Sequence, residues 1–189
     1  MTVHMTDFAE KPIDARHLRN AFGRFATGVT VITTRTASGK LEGLTANSFA
    51  AVSLDPPLIS WSLRRSAPSF DGFLTANHFA VNVLCAQQQA LCRHFTTPHL
   101  DKFEDIAFVD GLHGAPILTG SLATLECRTE NTFEGGDHLI FIGRVIRATY
   151  RDGEPLIFSS GRFCLPSLIE EQAAGDKNGA TLSEDWSGL

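Results

Sequence analysis

The stretch formed by residues 43–69 is dense in side chains that bind anions and polar groups. Hydroxyl, amide and guanidinium groups recur in it at close intervals, at Thr45, Asn47, Ser48, Ser60, Ser62, Arg64, Arg65, Ser66 and Ser69. Small residues let a flat ligand approach the backbone, and guanidinium groups and the free amides of a helix start bind phosphate. We hypothesise that this stretch holds a planar, phosphorylated cofactor. The same residue types also serve turns, helix caps and solvated strand ends, and the pattern alone leaves that alternative open.

His138 is the best candidate for an acid/base group or a contact to a nicotinamide. It opens a strand directly after Asp137, whose carboxylate can orient or charge an imidazole. A lone histidine at a strand start is also commonly a surface or structural residue, so both interpretations stand. Cys92 with His94 is too sparse a pair to predict a nucleophile and its base.

Several familiar motifs are missing from the sequence. No two glycines stand at positions i and i+2, so the dinucleotide-binding GxGxxG pattern cannot occur. The P-loop, HExxH and GxSxG patterns are absent too. No CxxC pair exists, so we predict no metal site from the four cysteines, Cys85, Cys92, Cys127 and Cys164.

Length and composition favour one globular domain with a sizeable core. The chain has 189 residues, of which 43% are hydrophobic and 20% are charged. Its net charge of −5 argues against a general binder of nucleic acid or of anionic membranes. No secretory signal or membrane-length apolar run is visible, and we expect a cytoplasmic protein with reduced thiols.

The hydrophobic pattern predicts mostly strands. Asp14 is the predicted N-cap of a first helix, which has Leu18, Phe22 and Phe25 on its apolar face and ends at Gly28. Ser66 is the predicted cap of a short second helix, and residues 87–95 form a third. Strands are predicted over residues 29–34, 58–65, 79–84, 118–129, 138–150 and 155–159, with a return strand from Leu41, a long loop over 96–114 and a turn over 131–136.

These elements predict a mainly β, antiparallel barrel with peripheral helices, because strands and helices do not alternate regularly. In the strand at 58–65, Ile59, Trp61 and Leu63 should face the core and the intervening polar residues a ligand or solvent. We expect a flexible arm at 1–13, a single domain over 14–167 and a polar C-terminal tail at 168–189.

The chain resembles the flavin reductase family, the reductase components of two-component flavin-dependent monooxygenases. The resemblance covers most of the chain, from about Leu18 to Pro166. Its blocks follow one order: FATGVTVITT (25–34), GLTANSF (43–49), SLDPPLI (53–59), FAVNVL (79–84), DKF (101–103), LEC (125–127), GDHLIFIG (136–143) and PL (155–156).

The resemblance implies an FMN-binding split β-barrel that works as a homodimer and uses NADH or NADPH to reduce FMN or FAD. A partner monooxygenase would receive the reduced flavin. Family likeness further implies that Thr45, Ala46, Asn47 and Ser48 lie along the flavin ring and ribityl chain, and that His138 lies near the nicotinamide. The same likeness assigns the ribityl and phosphate end, the polar end of the flavin and the closing aromatic residue to Ser62, Leu63, Arg64, Ser66, Ser69, Phe95, Lys102 and Phe163.

Two other functions remain open at this point. The same fold can reduce another acceptor, such as a corrinoid or a metal chelate, through bound flavin. Alternatively, the protein is a flavin-binding or interaction protein without catalysis. Hydride transfer is flavin chemistry and needs no protein nucleophile, so no residue is certain to be catalytic.

Overall fold

The computed structural model describes Met5, residues 14–97 and residues 101–167. The expected C-terminal tail at 168–189 and all of the expected arm at 1–13 except Met5 lie outside the described residues. No helix in the described part is both long and apolar enough to cross a membrane.

Twelve strands and three α-helices make up the described chain. The helices are α1 Ala15–Phe22, α2 Phe70–Thr75 and α3 Gln89–Thr96, and short 3-10 turns lie at Ala86–Gln88 and Leu112–Gly114. The strands are β1 Thr27–Gly28, β2 Thr30–Arg35, β3 Leu41–Ala46, β4 Ala50–Leu54, β5 Pro57–Arg64, β6 His78–Val83, β7 Phe108–Asp110, β8 Pro116–Leu118, β9 Ala123–Gly135, β10 His138–Tyr150, β11 Ile157–Ser159 and β12 Arg162–Cys164.

Seven strands pair into one antiparallel sheet in the order β3-β2-β6-β9-β10-β5-β4. A small sheet, β1-β11-β12, and a hairpin, β7-β8, complete the described strands. The predicted mainly antiparallel β fold with peripheral helices is therefore confirmed, in a split form, since the large sheet does not close on itself.

The predicted alternation in β5 is confirmed, and it builds the main core. Ile59, Trp61 and Leu63 are 4%, 0% and 2% exposed. Trp61 lies opposite Phe141 of β10 and stacks on it with ring centroids 4.6 Å apart. Stacked aromatic pairs add to the stabilisation from apolar burial, so this contact holds β5 against β10.

A second core cluster lies beneath α3. Phe95 packs edge-on against Phe103 with ring centroids 5.3 Å apart, and both are buried. A Cβ at Gly43 would stand 2.6 Å from the Phe95 ring, so β3 can pass under α3 only because this position is glycine. The glycine therefore sets the distance between α3 and the start of the 43–69 stretch.

Helix α1 is shorter and less buried than the sequence predicts. Asp14 caps it as expected, accepting hydrogen bonds from the backbone N–H groups of Arg16 and His17 at 2.9 and 3.2 Å. The helix ends at Phe22 rather than at Gly28, and no residue of it is buried. The predicted helix end at Gly28 is therefore wrong, and Phe22 and Phe25 of the predicted apolar face border a cavity.

The predicted helix start at Ser66 is also wrong. Helix α2 begins at Phe70, and Ser69 is its N-cap residue without a capping hydrogen bond from its side chain. Residues 65–69 form turns instead. With the start displaced and the helix only six residues long, no helix terminus stands beside Arg64 and Arg65.

The β9–β10 hairpin extends further than predicted. Strand β9 continues to Gly135, so the turn predicted over 131–136 is in fact strand, and the chain reverses at Gly136 and Asp137. Gly136 has a positive φ of 68°, which suits glycine in a tight hairpin. The segment was predicted as a turn because its residues are mostly polar, and a strand exposed on both faces shows no alternation of apolar and polar residues.

Two other strands also differ from the prediction. Strand β8 is separate from β9, and β12 was not predicted.

A loop cluster, comprising Arg35, His78, Asp110, His113, Glu126 and Arg147, fastens the loop at 111–115 to the sheet. Glu126 is buried, pairs with Arg147 and accepts a hydrogen bond from the backbone N–H of Leu112. Arg35 pairs with Asp110 and donates through Nε to the carbonyl of Gly114 at 2.9 Å. Each arginine in this cluster therefore faces a carboxylate.

Two histidines of the loop cluster stack on each other. The rings of His78 and His113 are 3.7 Å apart between centroids. Burial lowers the pKa of His78 below its ordinary value, and His113 and Arg128 lower it further. The stack is therefore maintained best when His78 is neutral.

Candidate functional site

A cavity of about 850 Å³ lies between α3, the end of β3 and the β11–β12 hairpin. We call it cavity A. Hydroxyl, amide, guanidinium and aromatic groups line it, and no carboxylate does: Val29, Thr45, Asn47, Gln89, Cys92, Arg93, Thr96, Thr97, Phe158, Gly161, Arg162 and Phe163. Its volume and mixed lining are typical of a pocket for one organic ligand.

Two threonine hydroxyls meet at one carbonyl in the wall of cavity A. Thr45 of β3 and Thr96 of α3 each donate a hydrogen bond of 2.8 Å to the backbone oxygen of Cys92. Since their protons are used within the protein, their oxygens present lone pairs to hydroxyl or N–H groups of a ligand. The Cys92 thiol is buried, which raises its pKa and leaves it unsuited to act as a thiolate.

Cavity A has a cationic side that sequence reasoning missed. Arg93 lies over the ring of Phe163, 5.6 Å from its centroid, which is a cation–π distance. Arg162 lines the same cavity, and neither arginine has a carboxylate partner in the described part of the chain. Helical spacing offered a signal, because Gln89, Arg93 and Thr96 recur at i, i+4 and i+7 on one polar face of α3.

A second cavity of about 770 Å³, cavity B, adjoins the first. It lies between α1, the end of β11 and the start of β10, and is lined by Arg19, Asn20, Phe22, Gly23, Arg24, Phe25, Thr27, Asn47, His138, Phe158, Ser160 and Gly161. Asn47, Phe158 and Gly161 belong to both linings, so the cavities meet there. Asn47 makes no side-chain hydrogen bond within the described residues, which leaves its amide available at this junction.

His138 lies in the wall of cavity B. Its Nδ1 is 2.7 Å from Asp137 Oδ1, so the predicted partnership between these neighbours is confirmed in geometry. The hydrogen bond from His138 is the main cause that lowers the pKa of Asp137, and Arg64 contributes less. With Nδ1 engaged, Nε2 is the ring nitrogen that can face a ligand.

Arg64 and Arg65 face carboxylates rather than either cavity. Arg64 lies 3.7 Å from Asp137, and Arg65 pairs with Glu134 at the end of the β9–β10 hairpin. Neither arginine lines cavity A or cavity B. Their expected contact with a phosphate stays a prediction, and the acids opposite them weaken the attraction they offer to an anion.

The remaining residues of the 43–69 stretch divide into supports and exposed groups. Ser48 accepts a hydrogen bond of 3.0 Å from the backbone N–H of Ser62, which ties the end of β3 to β5. Ala46, Leu63 and Ser69 are buried, and Ser66 is exposed in a turn outside both cavities. Within this stretch, Thr45 and Asn47 line a cavity.

Phe95 and Lys102 position the wall of cavity A from behind. Phe95 is 1% exposed and presents almost no surface to a ligand. Lys102 Nζ donates to the carbonyls of Gly43 and Phe95 at 3.1 and 3.0 Å, and burial lowers its pKa. Through these bonds Lys102 joins β3 to α3.

The lining of the cavities fits a flavin and a second nucleotide. Aromatic and apolar groups accept a flat ring, hydroxyls and amides suit ribityl and carbonyl groups, and four arginines suit phosphates. Thr27 has a buried Oγ1 with no hydrogen-bond partner in the described chain, in the lining of cavity B. Fold and cavities together indicate a β protein that binds two phosphorylated planar ligands side by side.

Comparison with known proteins identifies the family. Residues 22–166 match the flavin reductase like domain, and the chain belongs to this family. An NADH-dependent FMN reductase of Agrobacterium fabrum is 46% identical over 150 residues, which cover 79% of this chain and 85% of that protein. The reductase subunit of a flavin-dependent monooxygenase of Rhodococcus jostii is 40% identical over 82% of this chain and 80% of its own length.

Solved structures agree in fold. The NADH:FAD oxidoreductase of Streptomyces globisporus, in complex with NAD and FAD fragments, has a TM-score of 0.80 and 38% identity. The match covers 90% of this chain and 99% of that one. The chain spans only 50% of the length of a further relative, from Rhizobium meliloti.

Proposed function

We propose that the protein is an NAD(P)H-dependent flavin reductase, which transfers hydride from NADH or NADPH to FMN or FAD. The observation that carries this proposal is the pair of adjoining cavities, which meet at Asn47, Phe158 and Gly161. Hydride transfer needs donor and acceptor rings in contact, and two cavities that share a wall allow this. The names of relatives, an NADH-dependent FMN reductase among them, support the same activity.

In this proposal cavity A receives the flavin. Residues 45–48 lie beside the ring and ribityl chain, with the Thr45 oxygen as an acceptor, and Phe163 covers the ring. Arg93 and Arg162 bind the phosphate, while a contact from residues 62–69, which line neither cavity, stays a prediction. When bound, the flavin supplies a two-electron acceptor, and the protein's residues bind it, orient it and exclude water.

Cavity B then receives the nicotinamide beside His138. Bound there, the nicotinamide would supply a hydride that the flavin in cavity A would accept, which oxidises the nucleotide and reduces the flavin. His138 acts as an orienting contact through Nε2, held by Asp137 at Nδ1. No described residue need form a covalent bond in this reaction.

We further propose a cytoplasmic homodimer that passes reduced flavin to a partner monooxygenase. Relatives named as reductase components of monooxygenases support the partner. Exposed apolar residues on edge strand β4, Val52 and Leu54, support a contact between copies. All four cysteines are free thiols, in keeping with a reducing compartment. Light scattering of the purified protein measures the mass that the dimer proposal requires.

An anaerobic assay tests the function. We expect FMN or FAD to start NADH or NADPH oxidation, with matching loss of the oxidised-flavin absorbance. A requirement for a corrinoid or metal-chelate acceptor would assign the protein to the alternative reductases. Flavin binding without any nicotinamide oxidation would leave a non-catalytic flavin-binding protein and contradict the proposal.

A further inference from the structure

Helix α1 lines cavity B although the core does not hold it there. Phe22 of the helix and Phe25 of the turn after it are 68% and 79% exposed, and no residue of the helix is buried. Its end is fixed by Ser160, whose backbone N–H and hydroxyl donate to the carbonyl of Gly23 at 2.7 and 3.3 Å. A short amphipathic helix is stabilised mainly by contacts of its apolar face, and α1 has no buried residue in the core. Its apolar and basic side chains border cavity B instead.

The charges on α1 and on the turn that follows it point to an anionic ligand. Arg19 and Arg24 both line cavity B, and neither has a carboxylate partner among the described residues. Arg16 lies on the same helix without lining either cavity. Guanidinium groups bind phosphate oxygens through charge-assisted hydrogen bonds, so two arginines in one cavity suit a diphosphate.

We propose that Arg19 and Arg24 bind the diphosphate of the nicotinamide dinucleotide in cavity B, where Phe22 and Phe25 offer ring faces to its second base. This inference rests on the proposed function, because it assumes a nicotinamide nucleotide beside His138. It assigns α1 a role in selecting the hydride donor, separate from flavin binding in cavity A. The other possible occupant of this surface, a second copy of the chain, becomes an outcome of the test.

FMN must be the flavin in the experiment, because FAD would bring a second diphosphate. The variants are Arg19→Ala, Arg24→Ala and the double change, with Arg16→Ala as the matched control on the same helix. We expect KM for NADH to rise by about tenfold in each single variant and further in the double, because a lost charge-assisted bond weakens ground-state binding. The kcat, the Kd for FMN and the control variant should stay near wild type.

Calorimetric titration with NAD⁺ tests the same inference without turnover. Wild type and Arg16→Ala should bind NAD⁺, and the double variant should bind it about tenfold or more weakly. Unchanged NAD⁺ affinity in the double variant overturns the inference, as does a wild type that binds no NAD⁺. If NAD⁺ binds through these arginines but NADH oxidation with flavin is absent, the inference stands and the proposed function fails.

Light scattering tests the alternative that a second copy of the chain covers the surface formed by α1. The double variant should keep the mass of the wild type. A lower mass together with equal losses of NADH and FMN affinity would place α1 in an interface between copies and overturn the inference.

Discussion

Arginines in two regions of this molecule differ in what faces them. At the end of the β9–β10 hairpin, Arg64 and Arg65 lie opposite Asp137 and Glu134. In cavity A, Arg93 and Arg162 have no carboxylate partner among the described residues, and Arg93 rests on an aromatic ring instead. Arg64 and Arg65 are adjacent in sequence and resemble an anion site, but their charges are offset. Arg93 and Arg162 have 68 residues between them, and their positive charges are not offset by a carboxylate of the described chain.

The difference shows that the groups facing an arginine determine whether its charge is available to a ligand. An exposed ion pair contributes little to stability, yet its carboxylate offsets the field that an incoming anion would meet. An arginine held by a ring face keeps its hydrogen-bond donors free for a ligand. We therefore expect paired arginines to act within the protein and unpaired arginines in a cavity to bind a ligand.

The largest effect is expected at Arg93. Arg93→Ala should raise the Kd for FMN by about tenfold to 100-fold, because a hydrogen bond to a charged group contributes about 1.5–3 kcal/mol. Fluorescence titration of FMN measures it, with Arg16→Ala as the control. An unchanged Kd would show that the phosphate lies elsewhere and would remove the contrast between the two regions.

A paired arginine should matter for stability rather than for binding. Glu126→Gln removes the charge opposite Arg147 within the loop cluster and weakens the bond to the Leu112 N–H. We expect the free energy of unfolding to fall by about 1–3 kcal/mol with flavin affinity preserved. Urea denaturation gives the first value and FMN titration the second. A loss of flavin affinity with an unchanged free energy of unfolding would contradict the distinction between paired arginines that stabilise the protein and unpaired arginines that bind a ligand.

The stacked histidines predict a pH effect in the loop cluster. The pKa of His78 lies below its ordinary value of 6.5, so the unfolded chain takes up this proton more readily than the folded chain. Stability should therefore fall as pH drops through 6.5 towards the lowered pKa, and rise again with pH. Urea unfolding between about pH 8 and about pH 5 should show a smaller decline in His78→Gln. Equal declines would exclude His78 as the source.

Arg64→Ala should have the smallest effect. We expect less than about a threefold rise in the Kd for FMN, the range of an exposed pair. Its contact with Asp137 predicts instead a slight rise in KM for NADH through the position of His138. A loss of flavin affinity as large as that of Arg93→Ala would restore the 62–69 segment as the main phosphate site.

Burial with a regular period was predictable from sequence. In β5 the alternation of Ile59, Trp61 and Leu63 against polar neighbours foretold the core face, and β10 runs over residues 138–150 as predicted. The exposed second half of β9 was not predictable, since polar residues such as Thr132 and Asn131 resemble a turn when no buried face constrains them.

The candidate site was predictable only in part. Thr45, Asn47, His138 and Phe163, which were predicted to contact ligands, line the cavities. Their contacts with ligands stay a prediction. Arg162 was missed because β12 was missed, and Arg93 because nothing local reveals that α3 meets the β11–β12 hairpin. The predicted helix cap at Ser66 was wrong because serines at helix caps and serines in turns make similar local hydrogen bonds, and packing decides where the helix starts.

The shared wall at Asn47 and Phe158 has a thermodynamic consequence. Two ligands that contact the same side chains are expected to affect each other's binding. If the first ligand changes the affinity for the second by some factor, the second changes the affinity for the first by the same factor. Oxidised and reduced flavin present different charges to that wall, so the departure of each product is linked to the state of its neighbour. In the proposed arrangement, the affinity for reduced flavin in cavity A therefore depends on whether cavity B is occupied.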